Sequence, residues 1–224
     1  MKKFAKLTLV AATLSASLMA SQSALAEVSA NIGATSNYLW RGVSQSSDSA
    51  SVSGGLDYAA ESGFYAGTWV GSLGDGAGAE TDFYLGFGGE SGSFAYDVGY
   101  IYYAYTDLDD SDFGEVYFNG SVGNFGFGVA YTVNSQVDDG SAFDSGDIYA
   151  SISYGGIALG NEFELGLTAG SYMFDADGEG GDYDYSHVQI DIAKGDFTFS
   201  VSKAQDEGIA DGDLKFVASW STSF

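Results

Sequence analysis

From residue 28 onward, apolar residues alternate with small or polar ones at a period of two. In the segment 125–133, Phe125, Phe127, Val129, Tyr131 and Val133 alternate with Gly126, Gly128, Ala130 and Thr132. Successive side chains of a strand point to opposite faces, so this segment presents one aromatic and β-branched face and one small or polar face. The same reading holds for 28–34, 52–58, 83–87, 94–102, 116–118, 148–154, 163–167, 188–192, 197–201 and 214–220. With 64–73, whose facing the pattern leaves open, about twelve strands are expected.

The connections sort by length. Short Gly-rich ones (62–63, 88–93, 123–124, 155–161, 194–195) alternate with longer acidic ones (41–49, 74–80, 106–113, 134–147, 174–184, 204–213). Short turns at one end and longer loops at the other are the plan of an antiparallel outer-membrane β-barrel with both termini on the periplasmic side. A secreted soluble β-sandwich shares the alternation, but has no reason to sort its loops this way.

Composition narrows the class. The 224 residues include 33 Gly but neither Pro nor Cys, which excludes a disulfide scaffold, a Cys-ligated zinc site and a thiol nucleophile. The chain carries 31 acids against 7 basic residues, so nucleic acid is not expected as a partner. Lys2, Lys3 and Lys6 precede an apolar stretch from Leu7 to Ala20 and an Ala24-Leu25-Ala26 cleavage signal, so 1–26 reads as a secretory signal peptide and 27–224 as the barrel. Its removal leaves Arg41, Lys194, Lys203 and Lys215 against all 31 acids. No later apolar run is long enough for a membrane helix, so a spanning form must be a closed barrel.

Most acids fall in the longer loops. Seven others, Asp57, Asp82, Asp97, Glu115, Glu162, Glu164 and Asp191, take the parity opposite their strand's apolar set, which in a barrel is the lumen. Phe216, Trp220 and Phe224 share one face of the last strand, a pattern that resembles the insertion signal of outer-membrane proteins. The expected location is the outer membrane of a Gram-negative bacterium. The expected partners are its lipid and lipopolysaccharide, the barrel-assembly machinery, and small solutes or ions.

Residues 35–46 (TSNYLWRGVSQS), 54–58 (GGLDY) and 62–69 (SGFYAGTW) resemble the opening of the TorF-type porins, also known as Gcw-type conserved proteins of unknown function. The stretch 96–105 (YDVGYIYYAY) is similar to a second block of that family, although Thr106 and Asp107 follow where the family often has Pro. The resemblance implies a porin-like outer-membrane barrel and brings no substrate with it.

Arg41, the only Arg, is placed by parity at the outer end of the first strand, as a partner for a lumen carboxylate such as Asp57 or as a constriction charge. Lys215 shares the lumen parity, and barrel closure would bring the two basic residues near one another. The loops 107–112 and 175–179 offer hard oxygens but not the spacing of an EF-hand, so no metal site and no cofactor is expected. His187, the only His, has lumen parity; without a G-x-S-x-G or H-E-x-x-H motif, no enzyme is expected. Small lumen residues such as Gly55, Gly99, Gly126, Gly128, Ser151 and Gly166 suggest room for a narrow aqueous path. The expected function is passive diffusion through a cation-preferring porin, with a non-conducting structural or adhesion protein as the alternative.

Overall fold

The structure is a computed structural model that describes residues 27–138, 141–175 and 183–224. The expected signal peptide lies outside these residues, as does 176–182, part of the second Asp-rich loop. In chain order the strands are β1 (Glu27–Thr35), β2 (Leu39–Trp40), β3 (Val43–Ser44), β4 (Ser51–Ala59), β5 (Phe64–Ser72), β6 (Ala79–Ser91) and β7 (Phe94–Tyr105). They continue as β8 (Phe113–Val122), β9 (Phe125–Ser135), β10 (Ile148–Gly160), β11 (Phe163–Met173), β12 (Tyr185–Lys194), β13 (Phe197–Ala204) and β14 (Leu214–Ser223). All except β2 and β3 form one closed antiparallel barrel of twelve strands. β1 closes it by pairing with β4 on one side and β14 on the other, so that Asn31 lies opposite both Gly55 and Ser223. Closure leaves no unpaired edge.

The apolar parity set faces outward. Val28, Val52, Phe125, Ile152 and Phe197 are each more than 60% exposed, an apolar surface that requires a non-aqueous neighbour. Phe216 and Phe224 lie on the same face as these, and Trp220 shares their parity on β14. β5 resolves the facing that its sequence left open: Phe64 and Val70 are exposed and Tyr65 is buried, so Trp69 points inward as well.

Four boundaries depart from the sequence reading. The turn expected over 88–93 shrinks to Gly92-Ser93, because the ladder continues to Ser91 opposite Phe94. The turn expected over 155–161 shrinks because β10 runs on to Gly160, absorbing its extra residues in two register shifts. This leaves Asn161 and Glu162 as the turn, both with positive φ (52° and 68°). Glu162 therefore stands outside the lumen wall, its side chain 88% exposed and 3.9 Å from Lys194 Nζ. At the other end, Glu80 and Phe113, read as loop, belong to β6 and β8 and point inward, 2% exposed each.

Small lumen residues do not all leave space. A Cβ on Gly67 or Gly99 would lie 2.5 Å from the rings or hydroxyls of Tyr84 and Tyr117 respectively. Asn119 covers Gly128 and Ser153 covers Gly126 in the same way. The glycines are seats for side chains from adjacent strands, so less of the lumen is open than their size suggests.

Candidate functional site

Segment 36–50, between β1 and β4, folds into the lumen. Asn37 organises its base: Ser44 Oγ and Ser46 Oγ donate to Asn37 Oδ1 at 2.6 and 3.2 Å, and Tyr38 N donates to Ser46 Oγ at 2.8 Å. β2 then pairs with β3, Trp40 opposite Val43. Arg41 and Gly42 both have positive φ (49° and 86°), the geometry of a type I′ two-residue turn. At Gly42 a Cβ would also lie 2.6 Å from the His187 side chain, so the close approach and the dihedral both demand glycine.

At the tip, Trp40 is buried among Tyr103, Phe113, Phe143 and Tyr172, with ring centroids 5.6–6.2 Å away. Phe143 comes from a second inward segment, between β9 and β10. Asp147 anchors that segment by accepting the backbone N–H groups of Phe143 (2.7 Å) and Asp175 (2.8 Å). Burial pushes the Asp147 carboxyl up to about 6, against the opposing effect of those two bonds.

Arg41 crosses the lumen. Its Nη1 and Nη2 donate to the two carboxylate oxygens of Glu115 on β8 at 2.7 and 2.6 Å. β4 to β7 separate that strand from β1 around the ring. Tyr103 and Tyr172 hydroxyls donate to the same carboxylate at 3.2 and 3.3 Å. The guanidinium carbon lies 4.2 Å from the Trp40 ring centroid and 4.3 Å from that of Tyr149. A second tie runs from Tyr38 Oη to Glu80 Oε1 at 2.6 Å. Arg41 is thus neither on the first strand nor beside Asp57, because the turn carries it off the wall. Asp57 instead accepts bonds from Tyr84 Oη and from Asn31 Nδ2, the latter at 3.2 Å.

The two basic residues do not form one cluster. Lys215 Nζ donates to Asp48 and Asp211, at 2.8 and 2.6 Å, near the long-loop rim. The bond from Lys215 holds the Asp211 carboxyl below its usual range. Of the other expected lumen acids, Asp82, Asp97 and Asp191 are buried on the inner face and Glu164 is half-buried. Asp97 accepts from Tyr65 Oη at 2.5 Å, and Asp191 from Ser200 Oγ at 2.5 Å and Gln189 Nε2 at 2.9 Å. Asp82 has no hydrogen-bond partner among the described residues and is repelled by Glu80 and Glu115. His187 is 2.8 Å from Tyr149 Oη through Nε2. Among the described residues no three His, Asp or Glu side chains converge to hold a metal ion.

Below the hairpin, toward the short turns, lies a cavity of about 90 Å³ whose lining includes Arg41, Glu115, Tyr65, Tyr84, Tyr117 and Asn119. Ser151 also lines it, and half-buried Asn31, Ser53, Ser153 and Thr168 lie elsewhere on the inner wall. The sequence reading missed Tyr38, Trp40, Glu80, Tyr103, Phe143 and Tyr172 as site residues. Two signals pointed to them: the aromatic and apolar run Tyr38-Leu39-Trp40 just before Arg41-Gly42, and Glu80 continuing the parity of Asp82 by one more step.

Residues 19–147 match a family model described as "Bacterial protein of unknown function (Gcw_chp)". No curated protein matches the sequence. Among solved structures the fold is similar to that of the KdgM porin, at 8% identity and a TM-score of 0.52, covering 88% of this chain and 98% of that one. It is similar also to the NanC porin (9%, TM-score 0.49, 88% and 99%). For the outer membrane protein opdK from Pseudomonas aeruginosa the figures are 12%, 0.41, 79% and 58%. At these identities the likeness is one of fold.

Proposed function

The chain belongs to the Gcw_chp family of bacterial proteins of unknown function, and from that premise we propose that it is a narrow, cation-preferring porin of a Gram-negative outer membrane. The outward apolar band supports the location, since a closed barrel is the strand architecture that satisfies its backbone in lipid. The short-turn end then faces the periplasm and the acidic loops face out, toward lipopolysaccharide. Phe216, Trp220 and Phe224 would be read by the barrel-assembly machinery. The TorF-type porin resemblance points the same way.

The observation that carries cation preference is the charge on the inner wall. Asp57, Asp97 and Asp191 face the lumen, while Arg41 and Lys215 are each already neutralised by carboxylates of their own. A cleft lined by one sign of charge concentrates counter-ions. In planar bilayers under a KCl gradient, the reversal potential should favour K⁺. The preference should shrink as salt rises, because the Debye length falls from about 10 Å at 0.1 M to about 3 Å at 1 M. Asp57→Asn, Asp97→Asn and Glu164→Gln together should reduce it. Anion selectivity in the wild type would refute the reading.

One observation favours the non-conducting alternative: aromatic rings fill the long-loop half of the lumen. No conductance either in the wild type or after deletion of the hairpin tip would decide for it.

A further inference from the structure

We propose that the pocket around Glu115 is a guanidinium-binding site, occupied in this state by the chain's own Arg41 and able to take a solute carrying the same group. The inference adds a ligand class to the porin reading and rests on it only for how a solute arrives.

The site is shaped for a planar cation. Glu115 offers both carboxylate oxygens to two parallel N–H bonds, a fork that matches guanidinium and that a lysine ammonium cannot reproduce. Tyr103 and Tyr172 hydrogen-bond those same two oxygens and so fix the carboxylate plane without help from Arg41. The Tyr149 and Tyr172 ring centroids lie 4.3 and 5.0 Å from the guanidinium carbon, the placement in which an aromatic ring attracts a cation.

All four wall residues come from barrel strands (β7, β8, β10 and β11), and each is more than nine-tenths buried. Only Trp40 is contributed by the hairpin. The carboxylate, both hydroxyls that hold it and two of the three rings therefore belong to the barrel wall and remain when Arg41 alone is replaced. Arg41, Glu115, Tyr103 and Tyr149 also border the cavity below, which gives a small solute an approach to the site.

The test uses the full chain with Arg41→Ala, which removes the guanidinium and leaves the wall. In planar bilayers this variant should conduct several-fold more KCl current than the wild type. Millimolar guanidinium chloride, far below its denaturing range, should then reduce that current, while equal NaCl or tetramethylammonium chloride should not. A second Glu115→Gln substitution should abolish the block. A measurement independent of conduction is the temperature at which the folded band converts to the unfolded one on a gel. Guanidinium should raise it in Arg41→Ala and not in the double variant. If Arg41→Ala does not assemble, Arg41→Gln, which keeps part of the stem and an uncharged donor, carries both assays. Stabilisation by guanidinium without any conductance would uphold the site and sink the porin reading. Guanidinium behaving like sodium in both assays would overturn the site, whatever the barrel conducts.

Discussion

On β8, Phe113 and Glu115 at the long-loop end are 2% and 1% exposed, whereas Asn119, nearer the short turns, is half-buried beside the cavity. β10 repeats the contrast, with buried Tyr149 followed by half-buried Ser151 and Ser153. The same strands, with the same alternation, build a packed core at one end and a polar, partly open wall at the other. Strand parity decides which side chains face inward; what they meet there is decided by connections. Segments 36–50 and 141–147 bring Trp40, Arg41 and Phe143 into one half, whereas the turns at the opposite end are only two to four residues long.

The contrast is broken most directly at its centre. Trp40→Ala should cost about 3–5 kcal/mol, as for other buried aromatic truncations. Ser151→Ala in the other half should stay within about 0.5 kcal/mol. Denaturant midpoints of the folded barrel measure both, and equal effects would show that the long-loop half is not a packed core.

A smaller effect sharpens the boundary between the halves. Gly99→Ala places a Cβ 2.5 Å from Tyr117 Oη and 2.7 Å from the Leu85 carbonyl oxygen. The expected loss is about 1–3 kcal/mol. Adding Tyr117→Ala should recover part of it, so the double variant loses less than the two single ones combined, as for side chains in contact.

The smallest effect is on pH dependence. Burial raises the Asp147 carboxyl to about 6, so between about 4 and 6 the folded chain binds a proton that the unfolded chain has released. Asp147 should therefore add stability as pH falls through that window and lose it as pH rises. Asp147→Asn should flatten this part of the profile, read as the thermal transition between pH 4 and pH 7. An unchanged slope would show that Asp147 is not the group responsible.

The barrel was legible because one face of nearly every strand is apolar and the other small or polar. That contrast is written into sequences such as 125–133, so strand number and facing followed. β5 resisted because its outward set, Phe64, Ala66, Thr68 and Val70, is weakly apolar, while Tyr65 and Trp69 turn inward. The lumen core was not legible for a related reason. Its polar residues obey parity, but its partners depend on how two connections fold, and no periodicity encodes that. Arg41 illustrates the failure: extending β1 past Thr35 puts it on the wall, and only the positive-φ turn at Arg41-Gly42 takes it across to Glu115. Glu162 erred in the opposite direction, because its parity fits β11, which begins only at Phe163 after the turn.

Arg41 is tethered on the segment 36–50, both ends of which are fixed in adjacent strands β1 and β4. Even on a flexible linker a tethered ligand meets its site at an effective concentration of the order of millimolar, and this segment is held further by the Asn37 bonds and by Trp40. If the proposed site releases Arg41, the side chain returns without having to diffuse from bulk, and re-closure needs no second molecule. A free guanidinium compound of comparable intrinsic affinity competes only when it is itself that abundant. For the proposed site, the tether and the packing of Trp40 together set a threshold that traces of solute would not pass.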